Sequence, residues 1–236
     1  MGALIPAFQQ LMSTGGKVSV QQMTMQTTKA GPAQKVALPN LLFFVIDTSG
    51  SMAGSKLEAA KAAIRTMANS ARPEDFLALT YFSDRWYFGY QPKRKGGAPG
   101  KSCEAFDTAV TALKAEGGTQ LWESVGGAVA TVRLSTDKTN HLIILMDGQD
   151  NDSQGHVKHG IAEAFAHPGG RIHLHFIAIG SPSEINEPLL RSLLPSWAKL
   201  VIDNRGDAAA ITRAFQMVQQ QIQQITVNQI HVEVKK

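Results

Sequence analysis

The chain has 236 residues, 43% of them apolar and 18% charged, with a formal net charge of +4 and a single cysteine, Cys103. That length supports one substantial core, the composition is that of a folded globular domain, and no apolar run approaches the ~18 to 20 residues of a membrane-spanning helix. One cysteine excludes an internal disulfide framework and fits a reducing compartment, so a cytoplasmic location is expected.

The opening MGALIPAFQQLM has neither a basic segment nor a long apolar core, which argues against a secretory signal. Val18 and Val20, then Met23 and Met25, alternate with polar residues. That alternation is a half-exposed strand pattern, so residues 1–37 are expected to form an extension carrying a strand.

Residues 41–46 (LLFFVI), 76–82 (FLALTYF), 141–146 (HLIILM) and 172–179 (IHLHFIAI) are short apolar runs rich in branched and aromatic side chains. Such runs read as strands buried on both faces, as in a parallel sheet. Residues 86–90 (WYFGY) follow 76–82 after only three residues, too few for a parallel crossover, so an antiparallel edge strand is expected there. Residues 199–202 form a last, short strand.

Helical spacing fills the intervals. Leu57, Ile64 and Met67 share one face, with Ser55 and Glu58 as a capping-box start. Phe106, Val110 and Leu113 repeat the spacing, as do Trp122, Val125, Val129 and Val132. Shorter helices are expected around Ile161 and Phe165 and around Leu189 to Leu194. Ile211, Phe215, Val218 and Ile222 mark a last helix, with Asp207 as its N-cap and the glutamine-rich QMVQQQIQQ as its amphipathic end. The fold class is therefore α/β: a mainly parallel central sheet with one antiparallel edge strand and helices on both faces. The core domain is expected at residues 38–222. Ile230, Val232 and Val234 alternate again, so residues 223–236 are expected to end in a second terminal strand. The two terminal strands would pair with each other or with another chain, a route to oligomerisation.

In an open α/β sheet, ligands sit at the carboxyl ends of strands where chain order reverses. Asp47 ends the first buried run and Asp147 ends the third, so right-handed crossovers make them neighbours across that reversal. Ser49 and Ser51 lie on the turn beyond Asp47, with Gly50 letting the backbone bend. Thr119 is presented by the Gly117-Gly118 turn. Asp47, Ser49, Ser51, Thr119 and Asp147 offer oxygen only, which selects Mg²⁺, Mn²⁺ or Ca²⁺ over Zn²⁺ or Cu²⁺. Mg²⁺ takes about six oxygens and often retains water, so this set is expected to leave a coordination position open.

Other chemistries fit less well. A phosphate at the same turn would be repelled by Asp47. A phosphotransfer nucleophile at Asp47 would require an acid two residues on, where Ser49 stands. TSGS lacks the leading glycine of a serine-hydrolase elbow. His156 and His159, spaced i, i+3, are read as solvent-facing helix residues, and His173 and His175 as core or sheet-edge groups with satisfied hydrogen bonds. Asp150 and Asp152 are read as stabilising a polar loop. The basic stretch PKRKGGAPGK, residues 92–101, has no interleaved aromatics, so it is read as a solvated loop at the far end of the sheet, and nucleic-acid binding is not expected.

The combination DxSxS at Asp47, Ser49 and Ser51, Thr119, and Asp147 after a buried strand resembles the metal-ion-dependent adhesion site (MIDAS) of the von Willebrand factor type A (VWA) family, over about residues 38–222. The resemblance implies a Rossmann-like VWA fold without enzymatic activity. It implies that the two serines and Thr119 approach the metal, with the aspartates holding it directly or through water. A partner protein's Glu or Asp would complete the coordination. It also implies coupling of capture to movement of the last helix, here residues 207–225. Two alternatives stay open: a structural assembly subunit using the terminal strands, and a regulatory subunit beside an intracellular AAA+ ATPase, kinase or phosphatase.

Overall fold

In the computed structural model, the described residues are 38–98, 100, 103–133, 135, 137–148, 150 and 171–234, with side chains described from 172 to 227 in the last stretch. Six strands form one sheet: β1 Asn40–Asp47, β2 Phe76–Phe82, β3 Trp86–Arg94, β4 Thr139–Met146, β5 Arg171–Ile179 and β6 Lys199–Asp203. Their spatial order is β3-β2-β1-β4-β5-β6. All neighbours are parallel except β2 and β3, joined by a short connection after Phe82. The antiparallel edge follows from that connection, because a parallel return needs a dozen or more residues.

Alternate residues of β1 feed two separate cores. Leu42, Phe44 and Ile46 face α1 (Ser55–Ser70), α2 (Glu104–Thr111) and α5 (Ala208–Val234). Leu41, Phe43 and Val45 face α3 (Leu121–Arg133) and α4 (Glu187–Leu193). Burial of every β1 residue explains the unbroken apolar run: a strand covered on both faces has no polar side to alternate with. Phe44 against Phe106 and Trp122 against Phe176 anchor the two layers, with ring centroids 5.9 and 6.3 Å apart.

Three local expectations are corrected. The segment 230–234 is not a strand: α5 continues to Val234. No Gly or Pro stands between Asp207 and the end of the chain, so a helix already nucleated extends at little cost, and the alternation of Ile230, Val232 and Val234 is overridden. The capping box at Ser55 does not form. Gly54, at φ +76°, precedes α1 without a side-chain cap, and Glu58 pairs with Lys61 at 2.9 Å. Part of the basic loop is strand, since β3 runs to Arg94, and Lys95 is buried, donating to Asn69 O (2.8 Å) and Ala71 O (2.6 Å). Its ammonium closes the carboxyl end of α1, where carbonyls lack helical partners.

Asp207 does cap α5, accepting from Ala210 N at 2.6 Å. His175 is buried with its ring nitrogens 3.3 Å from His141 and 3.1 Å from Gln221 on α5. The expected strand at 18–25, the helix around Ile161, and the His156 and His159 pair lie outside the described residues.

Candidate metal centre

β1 sits between β2 and β4, so the chain order reverses beside it and leaves a crevice at its carboxyl end. The register pairs Ile46 with Leu145, which brings Asp47 level with the end of β4 and Asp147 one residue beyond. Asp47 and Asp147 are buried, whereas Ser51 is exposed at the lip.

Four of the five expected residues form a continuous hydrogen-bonded chain. Ser49 N donates to Asp47 Oδ1 at 2.7 Å. Ser49 Oγ and Ser51 Oγ lie 3.0 Å apart. Ser51 Oγ donates to Asp147 Oδ1 at 2.6 Å, and Asp147 N reaches Asp47 Oδ2 at 3.5 Å. Thr119 is buried on the turn that docks against this chain: Gly50 N donates to Gly117 O at 3.0 Å, and Gln120 N donates to Ser83 O at 2.7 Å. The turn carrying Thr119 is thereby clipped to both the DxSxS turn and the β2–β3 connection.

Burial pushes the Asp47 carboxyl up to about 6, against the hydrogen bonds from Ser49, with the charge of Asp147 adding to the rise. A carboxylate withdrawn from water, with a second one beside it, is stabilised by a nearby cation. The cation now nearest is Lys56, whose Nζ donates to Asp147 Oδ2 at 2.7 Å. Among the described residues, no group of three His, Cys, Asp or Glu side chains is placed to hold a metal. Any ion here must therefore take much of its coordination from the serine and threonine hydroxyls. That is the chemistry of a hard divalent cation. The donor set fits such an ion: buried oxygens of both kinds, a net negative charge, and an exposed lip.

Sequence reading missed three residues that build this pole. Thr48 fixes the turn by donating from N (2.7 Å) and Oγ1 (2.9 Å) to Phe82 O, and its own carbonyl accepts from Glu116 N at 2.8 Å. Asp84 accepts from Gly118 N and packs on Gly117, where φ is +75° and a Cβ would fall 2.5 Å from Asp84 Oδ1. Gly117 is thus the required glycine. Gly50, expected to let the backbone bend after Asp47, has no positive φ, and a Cβ there would meet Gly117 O at an ordinary 3.6 Å. Lys56 is the third. Only Thr48 carried a local signal, as the x of DxS. Asp150 accepts from Leu121 N at 3.1 Å at the start of α3.

The fold and crevice define a Rossmann-like α/β domain with a hydroxyl-rich anionic site at its switch point. Residues 42–149 match the family model described as von Willebrand factor type A domain. A protein from Synechocystis sp., sll0103, described as uncharacterized, is 30% identical over 150 residues, 61% of this chain and 34% of that protein. The chain thus spans about a third of that curated relative. A von Willebrand factor type A structure from Catenulispora acidiphila aligns with TM-score 0.64 and 24% identity, over 78% of this chain and 42% of that one. The PilB minor pilin of Streptococcus sanguinis aligns with TM-score 0.61 and 15% identity, over 83% and 63%. The SpRpn10 VWA domain aligns with TM-score 0.56 and 14% identity, over 75% and 94%. These structures share the fold. VWA domains are commonly protein-interaction modules and typically not enzymes.

Proposed function

We propose that Asp47, Ser49, Ser51, Thr119 and Asp147 hold one divalent cation, Mg²⁺, Mn²⁺ or Ca²⁺, and that the site captures an Asp or Glu side chain of a partner protein. The observation that carries this reading is the hydrogen-bonded chain of oxygens from two segments about a hundred residues apart, converging beside a buried carboxylate pair. When bound, the cation supplies an open coordination position for the partner's carboxylate. Asp47 and Asp147 supply the negative charge. Ser49, Ser51 and Thr119 supply neutral oxygens, which leave the ion enough positive charge to attract one more acid. Thr48, Asp84 and Gly117 hold the three turns against one another. No nucleophile paired with a base is needed for this role, and we read the chain as a binding module in the cytoplasm.

The test has two arms. Titration of MgCl₂ or MnCl₂ by calorimetry should show one saturable site, lost in Ser49→Ala/Ser51→Ala. Affinity capture should retain a partner with Mg²⁺ and release it with chelator or in the double mutant. A wild-type chain that binds no divalent ion at millimolar concentration would sink the reading.

The assembly alternative is weakened on one side, because the C-terminal segment that was to act as a strand is helical.

A further inference from the structure

Lys56 is the second residue of α1, in a helical turn where the backbone presents unpaired N–H groups and a positive dipole end. A cation gains nothing from that position, so its own helix does not explain it. What it meets is Asp147, whose side chain is fully buried while that of Lys56 is only 25% exposed. The pair spans 91 residues of sequence and joins the helix that follows the DxSxS turn to the loop after β4. Lys61, one turn on, shows the contrast: it is satisfied within the helix by Glu58.

Asp147 therefore has two oxygens with different partners. Oδ1 accepts from Ser51 Oγ, inside the hydroxyl chain, and Oδ2 accepts from Lys56 Nζ. An ammonium at 2.7 Å from one oxygen and a divalent ion drawn to the same carboxylate repel each other across a few ångströms. A second carboxylate lies beside Asp147: a Cβ on Gly180 would fall 3.2 Å from Glu184 Oε2 and 3.4 Å from Asp147 O. Glu184, on the loop after β5, is held by Ser181 N at 2.7 Å, and its carboxyl lies below the ordinary range through that hydrogen bonding and, to a smaller extent, the positive charge of Lys56.

We propose that Lys56 is a built-in competitor of the divalent cation at Asp147, a tethered counter-ion that must turn away toward Glu184 before the metal site fills. This rests on the metal reading above and goes beyond it: the site has a threshold, set by one lysine, for the metal concentration at which it becomes able to capture an acid. Removing the ammonium lowers the threshold, and keeping a positive charge in its place preserves it.

The experiment is calorimetric titration of MgCl₂ and MnCl₂ into the full 236-residue chain at fixed ionic strength, for wild type, Lys56→Met, Lys56→Gln and Lys56→Arg. Circular dichroism in chelator confirms that each variant is folded, and the two neutral variants guard against loss of one. Lys56→Met or Lys56→Gln should bind metal about tenfold more tightly, as expected for removing a unit charge close to a divalent ion at a half-exposed site. Lys56→Arg should stay close to wild type. Measurable binding by a neutral variant where wild type is too weak to detect also supports the proposal. Wild-type binding with equal or weaker binding by both neutral variants overturns it and leaves the metal reading standing. No binding by wild type or by the neutral variants overturns both.

Discussion

The two ends of β1 meet buried carboxylates in opposite circumstances. At the amino end, Asp75 is saturated: Oδ1 accepts from Asn40 N and Arg72 Nη2, each at 2.8 Å, and Oδ2 accepts from Arg72 N at 2.8 Å and Arg72 Nε at 3.3 Å. At the carboxyl end, Asp47 accepts from Ser49, whose backbone N lies at 2.7 Å and whose hydroxyl adds a second bond, and from Asp147 N only at a long 3.5 Å, and it faces another acid. Both are taken out of water by the same fold. The first is a finished structural joint, in which each oxygen has strong donors. The second is under-satisfied, and an under-satisfied buried carboxylate is where an external cation gains most.

That contrast can be broken most forcefully by exchanging loss of stability for loss of binding. Asp75→Ala leaves Arg72 and Asn40 N without their acceptor, and should cost about 3 to 5 kcal/mol by denaturant unfolding. Metal affinity of the folded fraction should be unchanged. Asp47→Asn, nearly isosteric, should change stability by less than about 1 kcal/mol, since a desolvated charge is removed along with a hydrogen-bond acceptor. It should abolish metal binding by calorimetry. If Asp47→Asn proves as destabilising as Asp75→Ala, the distinction between the two ends fails.

A pH series sharpens the same comparison without mutation. His175 is pushed down to about 4, first by burial, with the charges of His173 and Lys199 in the same direction and the Gln221 contact opposing. His141 is lowered as well, again first by burial and then by its histidine neighbours. The unfolded chain, with ordinary histidines near 6.5, takes up protons before the folded one does. Stability is therefore fully present above about pH 6.5 and is lost as pH falls toward about 4, by roughly 3 kcal/mol for His175 alone. Urea midpoints measured across that range should fall in wild type and flatten in His175→Gln.

Ligand linkage gives the next effect. Divalent metal at a hundred times its dissociation constant should raise stability by about 2.7 kcal/mol. Chelator should reverse that gain, which should vanish in Ser49→Ala/Ser51→Ala. The smallest effect is expected on the antiparallel edge. Phe76 pairs with Arg94, so Lys93 and Arg94 lie at the end of the sheet opposite the DxSxS turn. Neutralising both should leave metal affinity intact and alter stability by less than about 0.5 kcal/mol. Lys95 is the neighbour to watch: Lys95→Ala removes a buried charged donor from two carbonyls and should cost about 1 to 3 kcal/mol. A large loss of metal affinity from Lys93 and Arg94 would contradict the sheet order.

Much of the crevice was legible in the chain. Buried strands appear as unbroken apolar runs because both faces are covered, and crossover handedness then places Asp47 beside Asp147. Ser49 and Ser51 follow from their attachment to Asp47. What escaped were residues whose partners are remote: Lys56 beside Asp147, Asp84 under the Gly117-Gly118 turn, and Lys95 on the last carbonyls of α1. The terminal alternation misled because periodicity over five residues does not distinguish a strand from the end of a helix extending from Asp207.

The sequence by itself determined the strands and helices that pack around β1, the order of the strands around the reversal, and the oxygen character of the site, because periodicity, chain direction and side-chain chemistry are local properties. Tertiary structure alone decided which charge faces Asp147, which glycine the contact from Asp84 makes indispensable, and how far the last helix runs. Those outcomes depend on distances between segments far apart in the chain, which exist only once both layers have packed on the sheet.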